Sequence, residues 1–482
     1  MSSKYDKTAQ RYTFFWTCAK NFVILQSKNV FLQDSNNKID QMKHFFSLFI
    51  IAFACISVYA QAQQRYVGGD ISMLPKYEQH NSPYQNVRDK NISNLLTWLN
   101  ETCEWNTFRV RIFVNPDGSD PSVCQDLAYV TALGQRIKAA GAYFMLDFHY
   151  SDTWVDATHI QAPAAWKNAS NEAKADSIGA YTRRVLNTLI AANAAPDLVQ
   201  VGNEIMYGLC GIKVSPYNNT STNANWPAYL ELLKAGCNAV REVCPNAQII
   251  IHTDRPTNTG YNQYYYQKLI DGGVDYDIIG LSYYPFWHGY LTPEQVAGKS
   301  DKNNLVNAIN QLAVDFPDKR VHIVECAYNF QYWPTSGVNY NTQDVWPCSK
   351  TGQYNFVKDL VDALKPLPNV DGINYWFPEE AGNGDDTNWS TSQGTVITTW
   401  LNRGFWDESQ SNSGHAINKT GAVNGDKTAA DVCAPYYMSK FYNEEQGIAP
   451  VSTETQAHKH LRNGQLVIER NSITYSTDGK RL

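Results

Sequence analysis

Two glutamates stand at the ends of apolar, strand-like runs in this sequence. Glu204 follows Leu198–Gly202 and comes directly after Asn203, and Glu325 follows Val321–Val324. They are 325 − 204 = 121 positions apart, so only folding could bring them together. Two carboxyl groups on either side of a glycosidic bond can serve as an acid/base and a nucleophile. The pattern therefore predicts hydrolysis of sugar chains.

Neighbouring residues would have to give the two carboxyl groups different protonation states. Retaining hydrolysis places the carboxyl groups about 5–5.5 Å apart, one protonated and the other ionised. Arg109 and Arg111 have the alternate spacing of a strand, so both are expected to point into one interior. A buried arginine near Glu325 would keep it ionised. We expect one arginine to be functional and the other to be structural.

Further residues after strand-like runs are candidates for binding sugar. Asn203 is placed to contact a sugar 2-hydroxyl, Tyr283 to hydrogen-bond Glu325, and Trp376 to form a floor beneath the sugar. The remaining candidates follow two other runs: His149, Trp154, Trp287 and His288.

Each candidate also has a purely structural interpretation. A strand-end glutamate is more often an ion-pair partner, although the pair together with Asn203 and the arginines favours catalysis. His149 could be a hydrogen-bonded core histidine, and Trp154 or Trp287 could be loop packing. Asp147 and Asp152 could brace loops as readily as touch substrate.

Short apolar runs alternate with amphipathic segments such as 177–192 and 229–243. This alternation predicts an α/β fold with parallel strands and helical crossovers. Eight units favour a (β/α)₈ TIM barrel with enlarged loops and a short β-rich carboxyl-terminal tail. A doubly wound open sheet is the alternative, but no GxGxxG opens a helix after the first strand. The predicted strands are 66–71, 108–114, 143–148, 198–202, 248–252, 277–282, 321–324 and 372–377.

Composition excludes some classes of partner. The chain has 482 residues, a formal net charge of −6 and 43% hydrophobic residues, and this acidic balance argues against nucleic acid. Its 13 Trp, 30 Tyr and 19 Phe fit either a carbohydrate partner or a large aromatic core. Eight of the ten cysteines lie beyond residue 60; some could pair, but none has the spacing of a zinc site.

The chain divides into four predicted segments. Residues 1–41 are interpreted as a mis-called upstream extension and 42–62 as a signal peptide, with Val58-Tyr59-Ala60 as the cleavage site. Lipidation of Cys55 is a less favoured alternative. Residues 63–445 form the predicted catalytic domain, and 446–482 a linker and tail. The expected location is therefore outside the cytoplasm, secreted or on a bacterial cell surface.

The tail has two predicted strands, 461–468 and 472–476. It resembles the carboxyl-terminal sorting signals of Bacteroidetes secretion systems, which would make that machinery a partner. A small hairpin closing against the barrel is the alternative.

Several long motifs, in order, resemble glycoside hydrolase family 53, the endo-β-1,4-galactanases of clan A. The resemblance covers residues 66–442. It rests on Gly68–Ser72, Arg109–Pro116, Asp147–Trp154 with Gln161, Pro163 and Trp166, Gln200–Ile205, and Asp277–Gly289.

The resemblance implies a (β/α)₈ barrel and a retaining mechanism, with Glu204 as acid/base and Glu325 as nucleophile. It also implies the substrate, β-1,4-linked galactan of pectin side chains. We expect a monomer without a cofactor. Some family members bind calcium in the loop after the seventh strand, but here that loop, 331–347, has Asp344 as its only acidic residue, so no calcium site is expected.

The sequence departs from the family pattern after the nucleophile, where Glu325 is followed by Cys326-Ala327-Tyr328-Asn329. Three other interpretations stay open. One is another clan A endo-β-glycanase, such as a mannanase or xylanase. The second is a protein that binds galactan without cutting it, and the third is a surface adhesin that uses the barrel as a scaffold.

Overall fold

Eight parallel strands close into a barrel in the computed structural model. The residues described are 64–79, 84–85, 91–217, 221–330, 341–382, 403–407, 434–442, 458–462, 465–470 and 473–476. All eight predicted strands form, and β1 closes the barrel by pairing with both β2 and β8, so the predicted fold class is confirmed. The strands are β1 Tyr66–Asp70, β2 Thr107–Ile112, β3 Tyr143–Phe148, β4 Leu198–Val201, β5 Gln248–Thr253, β6 Ile278–Tyr283, β7 Arg320–Cys326 and β8 Val370–Trp376.

Helices connect the strands and cover the outside of the barrel. Most begin at a Ser, Asn or Asp whose side chain accepts a hydrogen bond from the first turn, as Asp126 does from the Tyr129 amide at 2.8 Å. The helices are α1 Leu74–Gln79, α2 Leu95–Glu101, α3 Leu127–Ala139, α4 Asn171–Ala191, α5 Trp226–Val243, α6 Thr259–Asp271, α7 Pro285–His288, α8 Leu305–Asp315, α9 Lys350–Leu364 and α10 Ala434–Met438.

Short elements lie in the connecting loops. They are the 3₁₀ turns Ile205–Tyr207, Ser221–Asn225, Asn341–Asp344 and Ser439–Phe441, and the two-residue strands Tyr84–Gln85, Asn91–Ile92, Gly208–Leu209, Ile212–Lys213, Ala381–Gly382 and Trp406–Asp407.

Inside the barrel, a mainly apolar layer is followed by a polar layer toward the carboxyl ends of the strands. Leu198 of β4 and Ile250 of β5 pack in a small apolar cluster inside the barrel. Two residues further along the same strands, Gln200 and His252 are buried and hydrogen-bonded to each other. Side chains two residues apart on a strand point to the same face. Leu198 and Gln200 of β4 therefore both point inward, as do Ile250 and His252 of β5. The polar layer therefore lies nearer the carboxyl ends of the strands.

The tail differs from its prediction. It forms three antiparallel strands instead of two: β9 His458–Arg462, β10 Gln465–Arg470 and β11 Ile473–Ser476. The predicted strand 461–468 joined the end of one strand to the start of the next. The sequence between them, Asn463-Gly464, is a dipeptide typical of tight hairpin turns, and the prediction overlooked that signal.

Several predictions fall on residues outside those described. They are the upstream extension, the signal peptide, the lipidation of Cys55, and the linker before β9. Six cysteines of the described residues carry free thiols, so no disulfide joins any two of them: Cys124, Cys210, Cys237, Cys244, Cys326 and Cys348. Within the same residues, every helix is too short or too polar to cross a bilayer.

The close approach of β1 to β2 makes Gly68 a sensitive position. A Cβ there would lie 1.6 Å from the backbone oxygen of Thr107. This clash cannot be relieved by rotating a side chain, because the backbone of β2 itself would have to move. We expect Gly68→Ala to lower the free energy of unfolding by at least about 3 kcal/mol, the upper end of usual overpacking costs. Denaturant unfolding at 25 °C measures this.

Gly260→Ala is the matched control, since its new Cβ would be 3.8 Å from its nearest neighbour, Asn258 Oδ1. It should leave stability unchanged or slightly higher, because alanine favours helix α6. A Gly68→Ala protein as stable as this control would contradict the pairing of β1 with β2.

Candidate active site

A cavity of about 440 Å³ opens at the carboxyl ends of the barrel strands. Both glutamates line it, so folding brings together the residues that lie 121 positions apart (325 − 204) in the sequence. Of the predicted site residues, all but Tyr283 contribute to its wall. Those that line it are Arg109, Arg111, His149, Trp154, Asn203, Glu204, Trp287, His288, Glu325 and Trp376.

An irregularity in β7 turns Glu325 into the cavity. The pairing of β6 with β7 shifts after Leu281, which pairs with Ile323, so that Ser282 pairs with Glu325 and Val324 is an extra residue. Val324 packs inside the barrel. Regular alternation would then send Glu325 outward, but a bulge lets two consecutive side chains share one face. The bulge thus places this carboxylate at the cavity.

The guanidinium of Arg109 holds the oxygens of Glu325 and two aspartates. Its NH2 lies 2.9 Å from Glu325 Oε1 and 2.8 Å from Asp147 Oδ2, and its NH1 lies 2.7 Å from Asp70 Oδ2. Burial lowers the pKa of Arg109, but the three carboxylates have a larger opposite effect, so the pKa is raised overall. Arg109 is therefore a permanent cation beside Glu325.

Arg111 has a different environment, facing Asp70 and an indole. Its NH1 is 3.4 Å from Asp70 Oδ1, and its guanidinium carbon lies 4.3 Å from the centre of the Trp154 ring. Arg109 alone of the two pairs with Glu325. Arg111 nevertheless lines the cavity, so the division into one functional and one structural arginine stays a prediction.

The tyrosine that binds Glu325 is Tyr284, and the prediction of Tyr283 was wrong. Tyr284 donates its hydroxyl proton to Glu325 Oε2 at 2.7 Å, whereas Tyr283 donates to the Gly289 carbonyl at 3.0 Å. Ser282 points inward, so strand alternation turns Tyr283 outward into the core beneath the helices. Tyr284 follows the end of β6 and faces the cavity.

Glu204 projects from a tight turn after β4. Gly202 has φ +93° and Glu204 itself has φ +47° and ψ +47°, the left-handed region that non-glycine residues seldom adopt. Ser282 donates a hydrogen bond to Glu204 Oε1 at 2.6 Å. The strained turn and this bond fix the direction of the side chain.

The two carboxyl groups differ in the charges around them. Burial raises the pKa of Glu204, and the nearby charge of Glu325 raises it further. Burial also raises the pKa of Glu325, but Arg109 and the hydrogen bond from Tyr284 oppose that rise. Glu325 is consequently the group that ionises first, and Glu204 is the one that retains a proton.

Asn203 and His149 are held by hydrogen bonds at the cavity wall. Asn203 accepts from Arg109 NH2 at 2.9 Å and donates to the Val155 carbonyl at 2.8 Å. His149 Nε2 lies 3.2 Å from Asp147 Oδ2, and its Nδ1 accepts from the Val155 amide. Both residues therefore brace the loop after β3 while lining the cavity.

Aromatic rings and an unpredicted arginine form the far wall. Trp287 is 45% exposed, so one of its faces is open to a ligand. The guanidinium carbon of Arg403 lies 4.9 Å from the Trp287 ring centre and 5.9 Å from that of Trp376. His288 accepts a hydrogen bond from the Tyr284 amide, and burial with the Arg255 charge lowers its pKa to about 3, so its ring is neutral.

The sequence analysis missed several residues of the site. Arg403 comes from a distant segment without a motif, whereas Asp254 follows β5 directly and strand-end position could have identified it. Burial raises the pKa of Asp254 to about 6, although Arg255 Nε lies 3.2 Å from its Oδ2. The others are Gln200, Ser282 and Tyr284, which fall within the quoted motifs, and His252, which ends the predicted strand 248–252.

The described residues contain no group of three or more His, Cys, Asp or Glu side chains that could hold a metal ion. Asp344 bonds with Lys299 Nζ at 2.5 Å and Tyr290. Residues 331–340 of the loop after β7 are not among the described residues, so the expected absence of a calcium site stays a prediction.

The family model for glycosyl hydrolase family 53 matches residues 66–418. The chain belongs to this family. The resemblance read from the sequence is confirmed, and the protein is a glycoside hydrolase.

Named relatives agree with this assignment. A probable arabinogalactan endo-β-1,4-galactanase A of Aspergillus terreus is 31% identical over 68% of this chain and 90% of its own. An arabinogalactan endo-β-1,4-galactanase of Cellvibrio japonicus is 30% identical over 72% and 88%. The solved family 53 catalytic domain of Ignisphaera aggregans has a TM-score of 0.63 and 26% identity, covering 79% and 97%.

The bond from Tyr284 predicts a shift in the pH dependence of this hydrolase. A carboxylate that attacks carbon must be ionised, so a nucleophilic role for Glu325 would make activity rise with pH through the pKa of this group. Tyr284→Phe removes a donor that lowers the pKa of Glu325, and the acidic limb of kcat/KM should move to higher pH. A hydrogen bond to a charged group is worth about 1.5–3 kcal/mol, so kcat/KM at acidic pH should fall at least about tenfold.

Tyr283→Phe is the matched control, since that hydroxyl bonds to Gly289. The acidic limb of kcat/KM of this variant should lie at the same pH as that of the unmodified enzyme. If the Tyr283 variant shifted the limb and the Tyr284 variant did not, the assignment of the two tyrosines would be reversed.

Proposed function

We propose that this family 53 hydrolase is an exported, endo-acting β-1,4-galactanase that retains anomeric configuration. The observation that carries the mechanism is the ion pair of Arg109 with Glu325, 2.9 Å long, in a cavity that also contains Glu204. The names of the relatives support β-1,4-galactan as the substrate. Galactan side chains of pectin are its natural source.

Glu325 is the nucleophile in this proposal, and Glu204 is the acid/base. Glu325 attacks the anomeric carbon, the bond to the leaving oxygen breaks, and Glu204 gives that oxygen its proton. The product of this step is a covalent glycosyl ester on Glu325. Glu204, now a carboxylate, takes a proton from water as the water attacks the same carbon. The ester bond then breaks and Glu325 is released as a carboxylate.

Sugar contacts follow from the residues at the wall. Asn203 lies next to both the acid/base and Arg109, which supports its proposed contact with the 2-hydroxyl. Trp376 would provide the floor at the cleavage point, and Trp287 an outer face for a neighbouring sugar. His149, Trp154, Arg111 and His288 would complete the binding surface. The proposed chemistry needs no cofactor.

Linear galactan distinguishes this function from its rivals. The experiment measures reducing-end release by protein starting at Gln63, with mannan, xylan and arabinan as controls. Glu325→Ala and Glu204→Gln should each lower kcat on galactan by at least about 100-fold, since general acid catalysis alone contributes 10²–10⁴-fold. Circular dichroism should show both variants folded.

The outcomes separate mechanism from substrate. Near-full activity of either folded variant would overturn the role assignment. Release from mannan or xylan instead of galactan would keep the mechanism and replace the substrate. Galactan binding without release by the unmodified protein would favour a carbohydrate-binding role.

Export and assembly are a further part of the proposal. The apolar run 45–60 after Lys43 supports a signal peptide, and the tail would engage bacterial secretion machinery and leave a monomeric enzyme outside the cell. Mass spectrometry of the protein made by its native host should find an amino terminus close after Ala60. A cell-associated product that begins at Met1 would argue against export.

A further inference from the structure

A buried serine and histidine lie directly behind Glu204. Ser282 Oγ is 2.6 Å from Glu204 Oε1, and His252 Nε2 is 2.8 Å from Ser282 Oγ. Both side chains have no exposed surface. The serine lies between the histidine and the proposed acid/base, so the direction of these two bonds decides what Oε1 can do.

His252 is neutral in this environment. Burial lowers its pKa well below the ordinary value, and the charge of Arg109 lowers it further, outweighing the opposite effect of Asp147. A neutral imidazole carries one N–H proton and one lone pair. If one ring nitrogen must accept a hydrogen bond, the other has to donate.

The surroundings of Nδ1 assign the lone pair to that atom. The Glu204 amide lies 3.3 Å from Nδ1 and donates to it, and Gln200 Nε2 lies 3.1 Å away. The orientation of Gln200 is fixed at both ends, because its Nε2 donates to Asp147 Oδ1 and its Oε1 accepts from Arg109 Nε. Nδ1 therefore faces two donors.

One acceptor also approaches Nδ1, but both lone pairs of its oxygen face other donors. Asn203 Oδ1 lies 3.1 Å from Nδ1, 2.9 Å from Arg109 NH2 and 3.3 Å from Gln200 Nε2. A buried backbone amide without an acceptor would be costly, and the Glu204 amide has Nδ1 as its acceptor. The proton of His252 consequently belongs on Nε2.

This tautomer sets the direction of the bonds that lead to Glu204. Nε2–H donates to Ser282 Oγ, and the serine hydroxyl donates in turn to Glu204 Oε1. We propose that His252 and Ser282 assign the catalytic proton of Glu204 to Oε2, by holding Oε1 as an acceptor. Both are positioning residues, and the inference rests on the proposed role of Glu204.

The assignment serves both halves of the reaction without moving a proton through the pair. In the first half, the proton on Oε2 passes to the leaving oxygen as the glycosidic bond breaks. The resulting charge on Oε1 is stabilised by the serine hydroxyl. In the second half, a water proton passes to Oε2, and Oε1 still accepts from Ser282.

Leaving groups of different basicity test the inference. Linear galactan needs a proton on its leaving oxygen, whereas 2,4-dinitrophenyl β-galactobioside releases a phenolate that needs none. Because kcat/KM reports only the first half, we expect Ser282→Ala to lower it about 10- to 100-fold on galactan, a part of the usual general-acid contribution. On the aryl substrate the change should be under about threefold, and Ser282→Thr should restore part of the galactan activity.

Thr253→Val is the matched control. It removes a buried hydroxyl on the same strand as His252, one that bonds to Tyr266 outside the barrel, and it should leave the ratio of the two kcat/KM values unchanged. An equal loss on both substrates by Ser282→Ala would show a merely structural serine and overturn the inference. No loss on either substrate would overturn it as well.

Glu204→Ala separates this result from a failure of the proposed function. With the aryl substrate and added azide, an acid/base variant forms a β-galactosyl azide and regains turnover. Without that rescue, the proposed role of Glu204 is wrong. With the rescue but without the substrate-dependent effect of Ser282→Ala, only the present inference fails.

Nitrogen NMR of the unmodified protein provides a test that does not depend on a folded variant at Ser282. Histidine labelled with ¹⁵N should show the His252 ring protonated at Nε2, with a lone pair on Nδ1, across the pH range of activity. His252→Gln identifies the signals by their loss. A ring protonated at Nδ1, or at both nitrogens, would overturn the inference.

Discussion

The charge of Arg109 is the constraint on which the rest of the site depends. This guanidinium is 1% exposed, and removing such a charge from water costs several kcal/mol unless anions surround it. Asp70, Asp147 and Glu325 lie within 2.9 Å of its nitrogens. These carboxylates come from β1, β3 and β7, so the cation beside Glu325 also links its own strand, β2, to three other strands of the barrel. Loss of any one of them would leave a buried charge incompletely paired.

Both glutamates are placed by departures from regular backbone. The extra residue in β7 turns Glu325 inward beside Val324, and the left-handed turn after β4 directs Glu204. Each departure is held by its surroundings: Arg109 and Tyr284 bond to Glu325, while Ser282 bonds to Glu204. Strain of this kind persists only where neighbouring interactions determine the geometry. The catalytic geometry is thus a property of the whole polar layer.

The sequence was sufficient to predict the barrel and most of the cavity wall, and the reason is physical. Apolar runs with polar residues at their ends are what buried parallel strands require, and such ends meet at one face of a barrel. Glu204 and Glu325 follow from that rule, and Arg109 follows from the alternation of side chains along a strand. The assignment of Tyr283 failed because it ignored the alternation by which Ser282 faces inward and Tyr283 outward.

Other features have no local signal in a single sequence. The bulge at Val324 depends on pairing between β6 and β7, and Arg403 reaches the aromatic wall from a segment remote in the chain. His252 and Ser282 resemble ordinary strand residues, and what distinguishes them is the contact of His252 with Ser282 and of Ser282 with Glu204. Long-range contacts therefore account for most of what the sequence did not predict.

Trapping of the glycosyl ester tests the central claim most directly, namely that the carboxylate held by Arg109 is the nucleophile. A 2-deoxy-2-fluoro-β-galactobiosyl donor with a dinitrophenolate leaving group slows the second half of the reaction more than the first. Peptide mass spectrometry after inactivation should find one added fluorodisaccharide, located on Glu325. A label on another carboxyl group, or turnover of galactan with inverted configuration and no label, would contradict the account.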